Sequence, residues 1–410
     1  MSKPSSISPV VIDTTRTPML QFRLFLILFV CLAHTSFQVT NVFAWQDQTS
    51  EFPTIPTIDK YAPEPMLKVQ TTNLQRAKFA AVDIHGHFGF RLKGDQIALS
   101  KYVEVMERNN IALSVSLDCV LGNEDRHLRF LRDYDERFLY FCHIDFVGDG
   151  NLDDPKSCVC NQPGFVRDVC MKLDAAKKKQ IVGLKFFKQF GLGFKNPDGS
   201  LLKIDDPRFD PIWQACAKLE LPVIIHTADP AAFFRPIDQN NERYEELARH
   251  PDWSFYGDKF PKRNELLAAR NRVIAKHPNT KFIGAHVANN PEDLETVASW
   301  LDEYPNLYVG IASRIGELGR QPNTARRFFL KYQDRILFGT DGPWPEQRLR
   351  YYWRFLETDD EYFPYSEKTP QPQGLWFIYG LNLPDNVLEK IYFKNALKLI
   401  PSAQSKLANQ

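Results

Sequence analysis

The run FAAVDIHGH, residues 79–87, decides between two architectures. It is nearly continuous in apolar residues up to Ile84, as a strand buried on both faces of a parallel sheet must be. It then ends on His85-Gly86-His87, where a doubly wound nucleotide-binding sheet would carry a Gly-rich phosphate turn. His85 and His87 lie two residues apart, so their side chains leave the same face of the strand. A pair so placed at a strand end can ligate one ion. Asp83 shares that face and is a candidate to support a ligand imidazole from behind.

The pattern recurs along the chain. Further apolar strands are predicted at Ile111–Cys119, Phe138–Phe146, Ile181–Phe187, Leu221–His226, Lys281–His286, Leu307–Ile311 and Arg335–Gly339. Helical spacing is read at Gly94–Asn109, Glu124–Glu136, Phe165–Lys179, Phe209–Leu219, Asn264–Lys276, Pro291–Glu303 and Thr324–Tyr332. Pro291 suits the first turn of its helix. Eight strand–helix alternations predict an α/β fold, the (β/α)8 TIM barrel, over residues 79–400. Two stretches exceed it. An insertion after strand five, residues 230–263, carries Phe233, Phe234, Trp253, Phe255 and Tyr256 and reads as a lid or pocket wall. Residues 345–410 are rich in aromatic side chains and close with a helix, Val387–Leu399. This C-terminal helical extension is expected to pack mostly against the outer helices.

In a barrel, the carboxyl ends of all strands share one mouth. His85, His87, His226 in VIIHTAD, His286 in FIGAHVANN and Asp341 in ILFGTDGPW would therefore meet there. Three or four imidazoles with a carboxylate form an N/O ligand set suited to Zn²⁺ or a related divalent metal. Asp341 reads as a metal ligand that also accepts a proton from bound water, against the plainer reading of a turn or cap aspartate. Lys185, ending strand four, has three readings: a carboxylated bridge between two metals, a contact to a substrate carboxylate, or packing. Arg235 and Arg314 are further anion-binding candidates. The remaining histidines after residue 44 read as structural: His127 on a charged helix face, His250 and His277 before prolines, and His143 within strand three, where it may line the barrel.

Residues 1–44 stand apart. Arg16 and Arg23 precede the apolar run Leu24–Ala33, which is too short to span a bilayer, and Val42-Phe43-Ala44 resembles a cleavage site. This is the pattern of a secretory signal peptide, with an uncleaved membrane anchor as the competing reading. The mature chain would begin at Trp45 and be periplasmic or secreted, with no membrane span. Residues 45–78 are polar and Pro-rich and read as an extended leader. A formal net charge of +1 gives no electrostatic case for nucleic acid. Cys119 and Cys142 fall in strands and read as buried apolar residues. Cys158, Cys160 and Cys170 cluster in one connection, where an exported chain suggests a disulfide; a metal knuckle would lack its fourth ligand.

On DIHGH, HTAD, GAH and LFGTDGPW the chain resembles the amidohydrolase superfamily, and more narrowly the amidohydrolase-2 family with its aminocarboxymuconate-semialdehyde decarboxylase group. The likeness runs from Ala81 to the closing KIYFKNALKLI. It implies that His85, His87, His226 and Asp341 hold one metal, commonly zinc, and that His286 is the catalytic residue that orients or protonates the substrate. In binuclear relatives, the equivalents of His226 and His286 bind a second metal bridged by a lysine, for which Lys185 is present. Homodimers are frequent in this family. Two reactions on a small-molecule substrate follow: metal-dependent hydrolysis of an amide, lactone or ester, and non-oxidative decarboxylation of an aromatic or unsaturated acid. In the hydrolysis, Asp341 moves the proton and His286 stabilises the oxyanion. A barrel without catalysis is a third reading, against which the intact five-residue set argues.

Overall fold

A computed structural model describes residues 57, 60, 61 and 63–408. The expected signal peptide, residues 1–44, and residues 45–56 of the leader lie outside the described residues. The chain divides into two compact units, residues 1–66 and 67–410. In the first, Thr57 O accepts from the N–H groups of Lys60 and Tyr61 in a turn.

The second unit is the barrel. Its strands are β1 (Ala81–Gly86), β2 (Ile111–Val120), β3 (Phe138–His143), β4 (Ile181–Phe186), β5 (Val223–Ile225), β6 (Phe282–Gly284), β7 (Leu307–Gly310) and β8 (Ile336–Leu337). They pair in parallel and in chain order. The ring closes where Ile84 N–H donates to Phe338 O at 3.1 Å, Asp341 N–H to His85 O at 2.8 Å and His87 N–H to Gly342 O at 2.6 Å. The main helices are α1 (Gln96–Arg108), α2 (Glu124–Leu131), α3 (Phe165–Lys177), α4 (Asp210–Lys218), α5 (Arg263–Lys276), α6 (Leu294–Glu303), α7 (Pro322–Lys331) and α8 (Glu346–Glu357). α6 starts three residues after Pro291, because Asp293 caps it: its Oδ1 accepts from Thr296 N–H at 3.0 Å.

Two cores follow from strands buried on both faces. Val82, Ile84, Leu113, Val115, Leu139, Phe141, Ile224, Ile283 and Leu337 fill the barrel interior. The outer core packs strands against helices, as where Phe186 meets Trp213 at a ring separation of 4.4 Å. The closing helices corrects one expectation. Ala396, Leu399, Ile400 and Ala403 join the interior core instead of the outer helices, and Lys406 Nζ donates to Phe138 O at 2.8 Å, where β3 begins. They therefore stopper the amino end of the barrel. Residues 67–78, the part of the leader in this unit, run without regular structure; Thr72 Oγ1 is tied to Asp360 Oδ1 at 2.7 Å.

The cysteines are a second correction. All six described cysteines are free thiols. Cys158 Sγ donates to Asn151 O, whereas Cys170 Sγ faces Pro211 O on α4, so the three-cysteine cluster forms no disulfide here. No helix among the described residues is long and apolar enough to cross a membrane.

His127 is a third. It is buried, and its Nε2 lies 2.7 Å from Ser116 Oγ on β2. Burial pushes its pKa down from 6.5 to about 4. Between these values the unfolded chain binds more protons than the folded one. Its contribution is therefore full above pH 6.5 and lost as pH falls toward 4, by up to about 3 kcal/mol. His127→Gln is expected to flatten the fall in stability between pH 6.5 and 4.5, as read from urea melts.

Candidate metal centre

His85 lies on β1 and His87 just past its end, and both meet Asp341 after β8. His85 Nε2 and His87 Nε2 converge on one atom, Asp341 Oδ1, at 3.5 and 3.4 Å. One ligand atom from each of the three side chains lies within 4.8 Å of the others, a spacing that can hold a metal ion. Both ring nitrogens of His85 are buried without a hydrogen-bond partner. Burial, aided by Lys185, holds that imidazole well below its ordinary pKa, so it is neutral and offers a lone pair. Burial would raise Asp341, but hydrogen bonding to His87 and the nearby His85 and His286 hold its carboxyl well below the ordinary range. An anionic oxygen facing two imidazoles, one of them buried and unpartnered, fits a divalent cation.

Asp118 completes this corner. It ends the inward-facing run of β2, and its Oδ1 lies 2.6 Å from His87 Nδ1 while its Oδ2 accepts from Phe90 N–H at 3.0 Å. The bond fixes Nδ1 as the protonated nitrogen and leaves Nε2 free to ligate, the carboxylate–histidine–metal arrangement. Burial would lower His87, but Asp118 and Asp341 raise it. Asp118→Asn is expected to weaken metal affinity or turnover by about 10–100-fold, as read by metal titration against a chelator. Asp83, expected to support an imidazole, does not touch one. Its Oδ1 accepts from the backbone N–H groups of His85 and Thr340, and its Oδ2 from Thr340 Oγ1 at 2.5 Å. It therefore staples β1 to the chain after β8, which places His85 and Asp341 side by side.

His226 and His286 extend the cluster toward the mouth cavity. The His286 ring lies 4.9 Å from that of His85 and 4.5 Å from that of His226. The compact three-ligand group does not include His226, whose Nε2 faces Asp229 Oδ1 at 3.4 Å. Asp229 also pairs with Lys188. Burial pushes His226 down to about 4 and, with His226 adjacent, His286 well below its ordinary value. Lys185 Nζ is buried without a partner beside these rings, and burial lowers it to about 7.

His286 sits on a strained turn. The strand expected to reach it stops at Gly284, because His286, Val287, Ala288 and Asn289 all adopt left-handed φ values between 52 and 57°. Such backbone costs about 1–2 kcal/mol per non-glycine residue. The surroundings hold it: Arg270 donates to Ala288 O, Arg263 Nη2 to Asn289 O at 2.5 Å, and Thr227 N–H to Asn289 Oδ1 at 2.9 Å. His286 Nδ1 donates to Ala312 O at 2.8 Å. A carbonyl can only accept, so the neutral ring keeps Nε2 as an acceptor. That corrects the oxyanion role: His286 becomes a donor at Nε2 only after taking up a proton.

Above this cluster lies a cavity of about 410 Å³, reached by His226, His286 and Asp341. The insertion supplies Phe233, Arg243, His250 and Trp253 to its wall, as expected of a pocket wall. Phe234 and Phe255 pack together under it instead, and Tyr256 is exposed. Trp344 adds to the wall from the segment after β8, and the C-terminal region adds Arg348, Tyr352, Tyr365 and Lys368, a contribution not expected of residues read mostly as outer packing. His250, read as structural, also lines the cavity, stacked on Trp253 at 4.1 Å. Arg314 lines it and Arg235 does not, facing a separate surface pocket. His143 packs against Phe187 at 5.3 Å, and His277 pairs with Asp210 at 2.9 Å. Ser313, missed in the sequence, donates from Oγ to Asp341 Oδ2 at 2.9 Å.

The family model for amidohydrolases matches residues 153–401. No curated protein matches the chain. Similar solved structures include an uncharacterised TIM-barrel protein from Bordetella bronchiseptica, at 14% identity and a TM-score of 0.47 over 79% of this chain and 99% of that one. A 2,6-dihydroxybenzoate decarboxylase complexed with 2,6-dihydroxybenzoate is 16% identical over 79% and 99%, with a TM-score of 0.44. A dihydroxybenzoic acid decarboxylase from Polaromonas sp. JS666, with bound manganese and 2-nitroresorcinol, is 15% identical over 79% and 97%, with a TM-score of 0.44.

Proposed function

Because the chain belongs to the amidohydrolase family, we propose that it is an exported, zinc-dependent hydrolase of an amide, lactone or ester in a small organic substrate. The observation that carries this reading is the convergence of His85 Nε2 and His87 Nε2 on Asp341 Oδ1 below the mouth cavity. Export rests on the residue pattern of positions 1–44.

In this reading His85, His87, His226 and Asp341 hold the metal. When bound, a divalent ion polarises the reacting carbonyl and lowers the pKa of a water toward about 7. Asp118 holds His87 Nδ1 and so turns Nε2 toward the metal position. Asp341 accepts the proton at Oδ2, the oxygen the imidazoles do not share, where the Ser313 hydroxyl can turn from donor to acceptor. The same oxygen returns the proton to the leaving group. His286 Nε2 accepts a hydrogen bond from a hydroxyl or water and so orients it. Lys185, whose pKa burial lowers to about 7, is the candidate substrate contact in this reading.

The cationic lining of the cavity favours a second reading, non-oxidative decarboxylation of an aromatic or unsaturated acid. The test supplies the metal-loaded protein with carboxylate-bearing aryl esters and lactones and the matching free acids, in ¹⁸O water. Hydrolysis with one solvent oxygen in the product acid supports the first reading. Release of CO₂ from the free acids supports the second, and neither product at full metal occupancy would contradict both.

A further inference from the structure

Two cysteines stand apart from the other four. Cys119 on β2 and Cys142 on β3 are direct partners across the parallel pair, and Cys142 Sγ donates to Cys119 Sγ at 3.1 Å. Both side chains are fully buried in the outer core, between strands and helices. Among the described residues no other two sulfurs are in hydrogen-bond contact: Cys158 and Cys170 each meet a backbone carbonyl instead.

The register of β2 against β3 shifts just before this pair. Ser116 faces Tyr140 and Cys119 faces Cys142, so β2 takes three steps while β3 takes two. β2 therefore carries one extra residue, a bulge. Plain alternation would put Asp118 on the face of Ser116, which points outward to His127 on α2. The bulge returns Cys119 to that outer face and lets Asp118 reach His87. A slip of one residue here would turn Asp118 away from the histidine it holds.

The backbone is already placed for a covalent link. Neighbouring strands lie about 4.8 Å apart, inside the Cα separation of about 4.4–6.8 Å that a disulfide accepts. The sulfurs have about 1 Å left to close, which side-chain rotation supplies. The link would join positions 23 apart and remove freedom from the unfolded chain.

We propose that Cys119 and Cys142 are a modification site, oxidised to a disulfide that locks the bulge of β2 in register. The oxidant is a small-molecule or protein disulfide. One cysteine thiolate attacks it, giving a mixed disulfide and releasing one thiol. The second cysteine thiolate then displaces the other thiol and forms the Cys119–Cys142 bond. The two cysteines lose two electrons and two protons, and the oxidant is reduced to two thiols. Burial sets the time of this reaction. In the folded chain, bonding to Cys119 and burial push the Cys142 thiol up, so its thiolate is suppressed and no oxidant reaches it. The link forms during folding, before the helices cover β2 and β3.

The test refolds the full chain from urea with zinc and a mixture of reduced and oxidised glutathione, blocks remaining thiols with iodoacetamide, and maps the peptides. The expected product is one linked peptide joining Cys119 to Cys142, with Cys158, Cys160, Cys170 and Cys216 alkylated. The chain folded under reducing conditions should acquire the link far more slowly when oxidised glutathione is added afterwards. In urea melts the linked form is expected to show an unfolding constant at least about tenfold smaller than the reduced form. Cys142→Ala should abolish both the linked peptide and the response to dithiothreitol. Cys158→Ser/Cys160→Ser/Cys170→Ser should keep both, and serves if Cys142→Ala does not fold. Natively folded protein with Cys119 and Cys142 both alkylated overturns the proposal, as does a different pairing as the main product. A link that forms but leaves stability unchanged or lower overturns its role as a lock. None of these readouts depends on turnover, so they stand whether or not the hydrolase reading holds.

Discussion

Asp341→Asn is expected to lower turnover by about 10²–10⁴-fold, the range for loss of a positioned acid–base group, with the barrel still folded. Three features converge on this residue. Its Oδ1 is the atom on which both β1 histidines close, and its Oδ2 accepts from Ser313. Its backbone N–H donates to His85 O, a bond that asparagine keeps. The amide would retain the shape and lose both the charge that draws the cation and the basicity that moves the proton. Circular dichroism and melting temperature should be near wild type, and metal content should fall with turnover. An Asn variant that keeps wild-type turnover would remove Asp341 from the chemistry.

Arg243→Met is expected to destabilise the fold by about 3–5 kcal/mol, the usual cost of breaking a buried ion pair, as measured by urea unfolding. Arg243 and Glu317 are each about 1–2% exposed, and Glu246 is nearly as buried. Arg243 Nη1 donates to Glu246 Oε2 at 2.6 Å and Nη2 to Glu317 Oε1. The guanidinium thus ties the insertion after β5 to the segment after β7. Without it two carboxylates are left in low dielectric, and adding Glu317→Gln should recover part of the loss. A cost under about 1 kcal/mol would mean that the network is solvated, as surface pairs are.

Much of this could be read in the sequence, because β-strands in a barrel are long apolar runs and their ends mark one mouth. The spacing of His85 and His87 put both at one strand end, and GTD placed Asp341. What escaped reading was set by tertiary contact. GAH reads as a strand end, but the turn through His286 is left-handed, with Arg263 and Arg270 holding the carbonyls of Asn289 and Ala288 and Thr227 N–H the Asn289 side chain. Asp118 sits inside SLDCV and looks like any polar residue in a strand until His87 lies opposite it. Its position at the end of the β2 run was the available signal. His127 and His250 have neighbours that hide their roles, a charged helix face and a proline. The aromatic residues after Trp344 divide between wall and packing by chain path, which periodicity does not encode.

Metal content of the purified chain tests the central claim most directly. Elemental mass spectrometry should find about one zinc-like ion per chain, lost in His85→Ala/His87→Ala. About two ions would bring Lys185, His226 and His286 into a second site and still support the metal-centre account. No ion after reconstitution, or an ion kept by the double variant, would contradict it.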